Sequence, residues 1–152
     1  MFSYSSIAVG TDGSTSSMAA VRAAASLARV YDASLTIICA HYSASGSVLD
    51  STNRELTGAD IVTETGAQEI LQRAREIAEA EQAKDIRTVS RGGQPAAVLI
   101  ESVREFDVEL LVVGNKGMRS LAGRVFGNVP GSVVKKAPVD VMLVDTQPEL
   151  RS

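Results

Sequence analysis

Three glycines at fixed spacing mark the segment of this chain whose residue types best suit phosphate binding. Gly114 and Gly117 are separated by two residues, and Gly127 follows after nine more. Because glycine has no Cβ, its backbone adopts positive φ readily and lets a ligand approach the amide groups closely. Lys116 lies between the first two glycines, where its ammonium group would reach a phosphate oxygen. The spacing therefore predicts a phosphate cradle.

The residues after Gly127 predict a helix whose N-terminus adds to this cradle. Asn128 is a candidate N-cap of a helix that extends to Lys136. A helix N-terminus carries free N–H groups and a partial positive charge, which favour anions. Arg119 and Arg124 add cationic side chains to the same segment. Each feature also has a purely structural explanation, as a plain turn or a solvated charge. Their combination in one segment favours phosphate binding.

A second polar loop follows the first predicted strand and is a candidate wall of the same site. Residues 7–9 are apolar and predict a strand, after which Gly10, Thr11 and Asp12 begin a turn. Ser14 is a candidate N-cap for an alanine-rich helix with apolar residues at offsets of three and four. Asp12 either stabilises that helix N-terminus or contacts a ligand. If the ligand is ATP, its carboxylate could hold Mg²⁺ through water.

Apolar runs alternating with helical patterns predict a doubly wound α/β fold. Five strand-like segments alternate with four helical ones, and nearly every strand is a continuous apolar run. Such runs are typical of parallel sheets covered by helices on both faces. Ligands of these sheets bind at the carboxyl ends of the strands, where the strand order reverses. Residues 41–57 form the longest predicted loop, followed by a helix with a capping box at Thr65 and Gln68. Glu69 and Arg73 stand one turn apart on this helix in the orientation that favours pairing, and its charges are interpreted as a solvated face.

Length and charge limit the classes of function. We expect one domain over residues 1–146 of the 152, with a polar tail over residues 147–152. The net charge is −3 and no tryptophan is present, so composition gives no indication of nucleic-acid binding. Apolar runs are too short to cross a bilayer, and no secretion signal is apparent, which predicts a cytoplasmic protein without membrane contact.

The single cysteine and single histidine exclude two kinds of site. Cys39 has no partner for an internal disulfide, and one Cys with one His, His41, cannot build a Cys/His zinc centre. Neither a G-x-x-x-x-G-K-[ST] loop nor a G-x-G-x-x-G fingerprint is present, and no nucleophile is paired with a base. His41 follows a predicted strand, where it either touches a ligand or has no function. Dedicated catalysis is not predicted.

With these residues in view, the sequence resembles the universal stress proteins along its whole length. The pattern of glycine, two residues, glycine, nine residues and glycine is that of the ATP-binding subclass, and the chain opens on I-A-V-G-T-D-G-S and closes on V-D-V-M-L-V. The resemblance implies a Rossmann-like fold, similar to the adenine nucleotide α-hydrolases, that binds an adenine nucleotide at the ends of the first and fourth strands. It also implies which positions bind the nucleotide, with Ala40 at the adenine: Gly10, Thr11, Asp12, Ala40, Val113, Gly114, Lys116, Gly117, Gly127, Asn128 and Val129.

Two residues depart from the ATP-binding pattern. The Ser or Thr after the last glycine is Asn128 here, whose amide can still donate to a phosphate oxygen. Pro130 removes one backbone N–H, which suggests a ligand with fewer phosphates. In this respect the chain resembles actinobacterial members that bind cyclic AMP. ATP and cyclic AMP both stay open.

Three functions are consistent with this sequence. The first is a nucleotide-binding regulatory or sensing protein of the stress response, the second a slow ATP hydrolase, and the third a dimeric scaffold that binds no nucleotide. The last predicted strand is apolar and runs from Val139 to Val144. An apolar strand at a sheet edge favours pairing with a second copy of the chain. The resemblance likewise implies a homodimer through this strand.

Overall fold

The computed structural model describes residues 3–42, 62–115 and 129–145. Within them, strands and helices alternate along the chain as the apolar pattern predicts. The elements are β1 (Ser6–Gly10), α1 (Thr15–Tyr31), β2 (Ser34–His41), α2 (Glu64–Ala80), β3 (Ile86–Gly92), α3 (Pro95–Glu105), β4 (Leu110–Gly114), α4 (Val129–Lys136) and β5 (Asp140–Val144).

The five strands form one sheet in the order β3-β2-β1-β4-β5. All four pairings are parallel, with Val9 of β1 opposite Ile37 of β2 and Val112 of β4. The chain adds strands first on one side of β1 and then on the other, so the strand order reverses between β1 and β4. This confirms the predicted doubly wound α/β fold. The switch point lies between the first and fourth strands, as the sequence predicts.

Helices cover both faces of the sheet and enclose two apolar clusters. On one face α1 and α2 pack over Val9, Leu35 and Ile37, and on the other α3 and α4 pack over Ile38 and Leu111. These five side chains are fully buried, and burying each stabilises the fold by about 1.5–3 kcal/mol. The inward face of α1 consists largely of alanine, which lets the helix lie close to the strands.

The helix ends follow the capping residues, with one correction. Ser14 caps α1 as predicted, since its Oγ accepts the Ser17 N–H at 3.1 Å. The predicted cap of α2 at Thr65 is wrong: the helix begins two residues earlier, and Thr63 Oγ1 accepts the Gly66 N–H at 3.0 Å. Both threonines suit an N-cap by residue type. The earlier start places Glu64 in the first turn, where its charge favours the helix dipole.

Charges on α2 pair differently from what the spacing of Glu69 and Arg73 favours. Among the described residues, these two form no ion pair, and the pair observed along this helix joins Arg75 to Glu79 at 3.9 Å. Arg73 instead lies beside the β1–α1 loop, with Nη2 3.5 Å from the position a Cβ would occupy at Gly13. A tertiary contact has thus replaced a local one worth only about 0.2–0.5 kcal/mol.

Candidate functional site

The ends of two neighbouring strands lie side by side at the carboxyl edge of the sheet. Val9 of β1 is paired with Val112 of β4, so Gly10 and Val113 come next on either side. Parallel strands end at a common edge, so the carboxyl ends of β1 and β4 lie side by side. The pairing confirms that these two strands are neighbours, and Asn115 is the last described residue on the β4 side.

The β1–α1 loop is held by hydroxyl groups from both of its ends. The Thr11 N–H continues the sheet ladder by donating to the Ile38 carbonyl at 3.0 Å. Thr11 Oγ1 lies 2.7 Å from Ser17 Oγ and accepts the Gly13 N–H at 3.1 Å. Because the Ser17 hydroxyl donates to the Ser14 carbonyl at 3.0 Å, Thr11 is the donor in the contact between the two hydroxyls.

Several backbone amides around the start of α1 have acceptors within this loop. The Asp12 N–H donates to Ser17 Oγ at 3.3 Å, and the Ser14 N–H donates to Asp12 Oδ1 at 3.0 Å. The Ser17 N–H donates to the cap at Ser14. A helix N-terminus binds anions through unsatisfied N–H groups, and these three amides are already used. The loop is thus preorganised by its own hydrogen bonds, and the Asp12 side chain on it is exposed.

Two glycines in this region allow helices to pack closely against the strand end. A Cβ at Gly10 would lie 2.8 Å from Leu99 Cδ2 of α3. A Cβ at Gly13, where φ is +88°, would lie 2.8 Å from Ile70 Cδ1 of α2. Side chains at both positions would displace packed leucine or isoleucine, so helix packing accounts for the absence of a Cβ at each.

The end of β2 contains Ala40, which the resemblance predicts to contact the adenine ring, and the buried thiol of Cys39. Ala40 is half-buried, pairs with Arg91 of β3 and packs against the cluster under α3 and α4. Cys39 is fully buried, and burial, followed by the nearby Asp12 charge, raises its pKa to about 11. The thiol is therefore protonated at neutral pH and a poor nucleophile. His41 ends the strand, and its carbonyl accepts the Gly93 N–H at 3.1 Å.

The β4 side of the site is anchored to β5 and α4. Val113 is buried, Gly114 is half-buried, and the Asn115 N–H donates to the Val144 carbonyl at 2.9 Å, one step beyond the strand. Val129 begins α4 and packs against the cluster on that face of the sheet, with Pro130 buried in the first turn. The remaining predicted residues lie outside the described ones: Lys116, Gly117, Gly127 and Asn128, together with Arg119 and Arg124.

A groove of about 560 Å³ runs between α3 and α4. Its lining includes Ile100, Arg104, Val129 and Lys136, so it shares only one residue with the predicted site. The groove lies along the helix pair, and its lining includes no residue of the β1–α1 loop or of the end of β4. The ends of β1 and β4 are the better candidate because ligands of doubly wound sheets bind where the strand order reverses.

Two further observations concern metals and membranes. Across residues 3–42, 62–115 and 129–145, no three His, Cys, Asp or Glu side chains are grouped so as to hold a metal ion. No helix in these ranges is long and apolar enough to cross a membrane.

A five-stranded doubly wound sheet whose strand order reverses between two central strands is an architecture of α/β proteins that bind nucleotides. The sequence model of the universal stress protein family matches residues 3–145. This chain belongs to the universal stress protein family.

Individual relatives agree with this assignment. The universal stress protein Rv1636 of Mycobacterium tuberculosis H37Rv is 37% identical over 151 residues, covering 96% of this chain and 99% of the relative. The crystal structure of Rv1636 has a TM-score of 0.62 at 36% identity, covering 97% of this chain and 99% of that one. A universal stress protein crystallised in complex with cyclic AMP has a TM-score of 0.76 at 34% identity, covering 96% of this chain and all of its own.

Several residues that shape the site were not identified from the sequence. Ser17, Leu99 and Ile70 hold the β1–α1 loop and its glycines, yet none lies within the glycine motifs. Ser17 could have been found, because it stands three residues after the Ser14 cap, where a side chain can reach back to the loop. Leu99 and Ile70 follow helical apolar patterns only, and nothing local indicates what they contact.

Proposed function

We propose that this protein binds an adenine nucleotide between the loops that follow β1 and β4, and that cyclic AMP is the preferred ligand. The observation that carries the proposal is the pairing of β1 with β4. This pairing puts the end of β1, which Thr11 and Asp12 follow, beside the end of β4 at Gly114. The proposed role of the protein is binding and sensing. The nucleotide occupies the crevice between the two strand ends, and the protein signals the presence of the nucleotide to a partner. Ala40, at the end of β2, lies on the side of the adenine ring.

Among the described residues, the few free donors beside the crevice favour a ligand with one phosphate. The N–H groups of Asp12, Gly13 and Ser14 already donate to side chains of their own loop. Pro130 removes a donor from the first turn of α4, a helix of only 8 residues. Three charged phosphates need many donors and a counter-ion, whereas a cyclic monophosphate carries one charge. The structure of a relative with cyclic AMP, at 34% identity, supports the same preference.

ATP is the second candidate ligand. The G-x-x-G spacing with nine residues to the third glycine is that of the ATP-binding subclass. Asp12 is exposed at the edge of the crevice, where its carboxylate would hold Mg²⁺ through water beside a triphosphate. Slow hydrolysis of ATP is then the alternative activity, and phosphate release from Mg·ATP over hours measures it directly.

Enlarging the residue at the adenine side tests the location of the site. Ala40→Leu fills the space at the end of β2 and should weaken cyclic AMP binding at least tenfold, as calorimetric titration would measure. Ala80→Leu is the control, because Ala80 is exposed at the far end of α2. Thermal unfolding of both variants verifies that they fold. Unchanged affinity in a folded Ala40→Leu protein would place the ligand elsewhere.

The β4 segment has its own test. A double variant with Gly114→Val and Gly127→Val adds branched side chains to the glycine-marked cradle, and it should lose nucleotide binding while the sheet still forms. Retention of wild-type affinity in that variant would show that the glycines are turn residues only.

We further propose that the protein forms a homodimer through β5. This strand lies at the edge of the sheet, so one side of its backbone has no neighbour among the described strands. Met142 is 37% exposed and Leu143 is 40% exposed, which leaves apolar side chains on both faces of an open edge. Pairing with a second β5 about a two-fold axis would cover them and satisfy the edge amides.

A further inference from the structure

Helix α2 packs directly against the β1–α1 loop. Ile70 occupies the space beside Gly13, with its Cγ1 and Cδ1 each 2.8 Å from the position of a Cβ there. Arg73 is three residues further along the same face of α2, and its Nη2 lies 3.5 Å from that position. The guanidinium group therefore lies beside Gly13, the residue that follows Asp12.

The charge of Arg73 is not neutralised within the part of the chain that the structure describes. There, Arg73 forms no ion pair, although Glu69 is one turn away on the same helix. The neighbouring charges do have partners: Arg75 pairs with Glu79, and Arg22 of α1 pairs with Glu81. An arginine that is left unpaired beside a functional loop is available to a group that belongs to that loop or to its ligand.

Asp12 is the acidic group on this loop. One of its carboxylate oxygens, Oδ1, accepts the Ser14 N–H, and the side chain is exposed. In the proposed function, this carboxylate faces a crevice that receives an anionic phosphate. Two like charges in one crevice repel, and a nearby guanidinium reduces that repulsion while its planar fork orients the carboxylate.

We propose that Arg73 is a positioning residue for nucleotide binding that acts through Asp12. When nucleotide enters, the guanidinium group pairs with the Asp12 carboxylate, orients it towards the nucleotide and offsets its charge. This inference rests on the proposed nucleotide site and adds a residue from α2, an element outside both glycine loops. An ion pair at a solvent-exposed position would change the affinity by roughly two- to fivefold.

A double-mutant cycle with Asp12 tests this role. Cyclic AMP affinity is measured calorimetrically for wild type, Arg73→Gln, Asp12→Asn and the double variant at low ionic strength. Arg73→Gln should weaken binding roughly two- to fivefold, and the same change in the Asp12→Asn background should have no effect. Arg73→Lys keeps the charge and should recover most of the affinity. Arg75→Gln is the control on the same helix and should bind as wild type, because Arg75 is engaged with Glu79.

The outcomes separate this inference from the proposed function. Wild-type protein that binds no nucleotide would overturn both. Wild-type protein that binds cyclic AMP while Arg73→Gln binds equally well would overturn the role of Arg73 alone. Arg73→Gln could instead weaken cyclic AMP binding equally in the wild-type and Asp12→Asn backgrounds. That result would also contradict the role of Arg73, since Arg73 would then not act through Asp12.

Discussion

The hydroxyl oxygens of Thr11 and Ser17 lie 2.7 Å apart and join the end of β1 to the first turn of α1. Thr11 is 7% exposed and Ser17 is half-buried, so this contact is partly shielded from water. Ser17 also accepts the Asp12 N–H, which fixes the backbone that presents the Asp12 carboxylate. The shape of the β1–α1 loop therefore depends on a side chain that belongs to the helix.

Removing this hydroxyl should loosen the loop. Ser17→Ala leaves the Thr11 hydroxyl and the Asp12 N–H without their acceptor, which should lower the free energy of unfolding by about 1–2 kcal/mol. Cyclic AMP affinity should fall as well, because the loop must then be ordered on binding. Urea unfolding and calorimetric titration measure the two effects. Thr15→Ala, an exposed position in the same turn, should leave both nearly unchanged.

Gly10 is expected to respond to substitution through Leu99. Gly10→Ala places a Cβ 2.8 Å from Leu99 Cδ2, which is the end of a flexible side chain. Helix α3 or the leucine rotamer must shift, and the expected destabilisation is about 1–3 kcal/mol. Combining Gly10→Ala with Leu99→Ala should relieve the clash, so the two effects should be less than additive in urea unfolding. Strict additivity would mean that the two residues do not compete for the same space.

The order of the elements followed from the sequence because nearly every strand is a continuous apolar run. The strand order did not follow from these runs, since they do not indicate which strands are neighbours; the resemblance supplied it. The weakly apolar pattern over residues 86–90 is explained by the position of β3 at the sheet edge, where one side of the strand is less covered. Edge strands bury fewer side chains and therefore carry a weaker signal.

Contacts between elements limited what could be predicted of the site. Thr63 and Thr65 both suit an N-cap, and only the packed position of α2 selects Thr63. Arg73 stands one turn from Glu69 along its own helix, whereas the structure places its guanidinium beside Gly13. The role of Leu99 beside Gly10 depends on α3 lying against the end of β1. The contacts of Arg73 and Leu99 join residues more than 50 positions apart, and no local pattern encodes them.

At the amino ends of the strands, Glu109 accepts hydrogen bonds from residues at the start of β1. This contact should make the free energy of unfolding depend on pH. Its Oε1 accepts the Ser5 N–H at 2.6 Å, the Ser5 hydroxyl at 2.9 Å and the Ser6 N–H at 3.3 Å. The hydrogen bond from the Ser5 backbone is the main reason why the pKa of Glu109 is lowered from its ordinary value of 4.5.

The sign of the pH effect follows from this lowered pKa. The contribution of Glu109 to stability is fully present above pH 4.5 and is lost as the pH falls through the lower pKa of the folded state. The Glu109→Gln variant should therefore have a lower melting temperature than wild type at pH 7. The difference between the two melting temperatures should be smaller near pH 3. Glu69→Gln, at an exposed position on α2, is the matched control. A gap between wild type and Glu109→Gln that is independent of pH would refute the assignment.

The proposed dimer predicts a change of assembly on charging β5. Leu143→Glu places a carboxylate on the open edge and should convert a dimer into monomers, as light scattering after size exclusion would show. Val30→Glu charges a residue of α1 that is 71% exposed, and it should stay dimeric. A Leu143→Glu protein with the mass of a dimer would exclude the β5 interface.

Titration of nucleotide-stripped protein tests the proposed nucleotide site most directly. Calorimetry with cyclic AMP, and separately with ATP in the presence and absence of Mg²⁺, should show one site per chain with cyclic AMP bound at least tenfold more tightly. Tighter binding of ATP would contradict the preference for one phosphate while keeping the site. Absence of both binding heat and thermal stabilisation with every nucleotide would contradict the site itself.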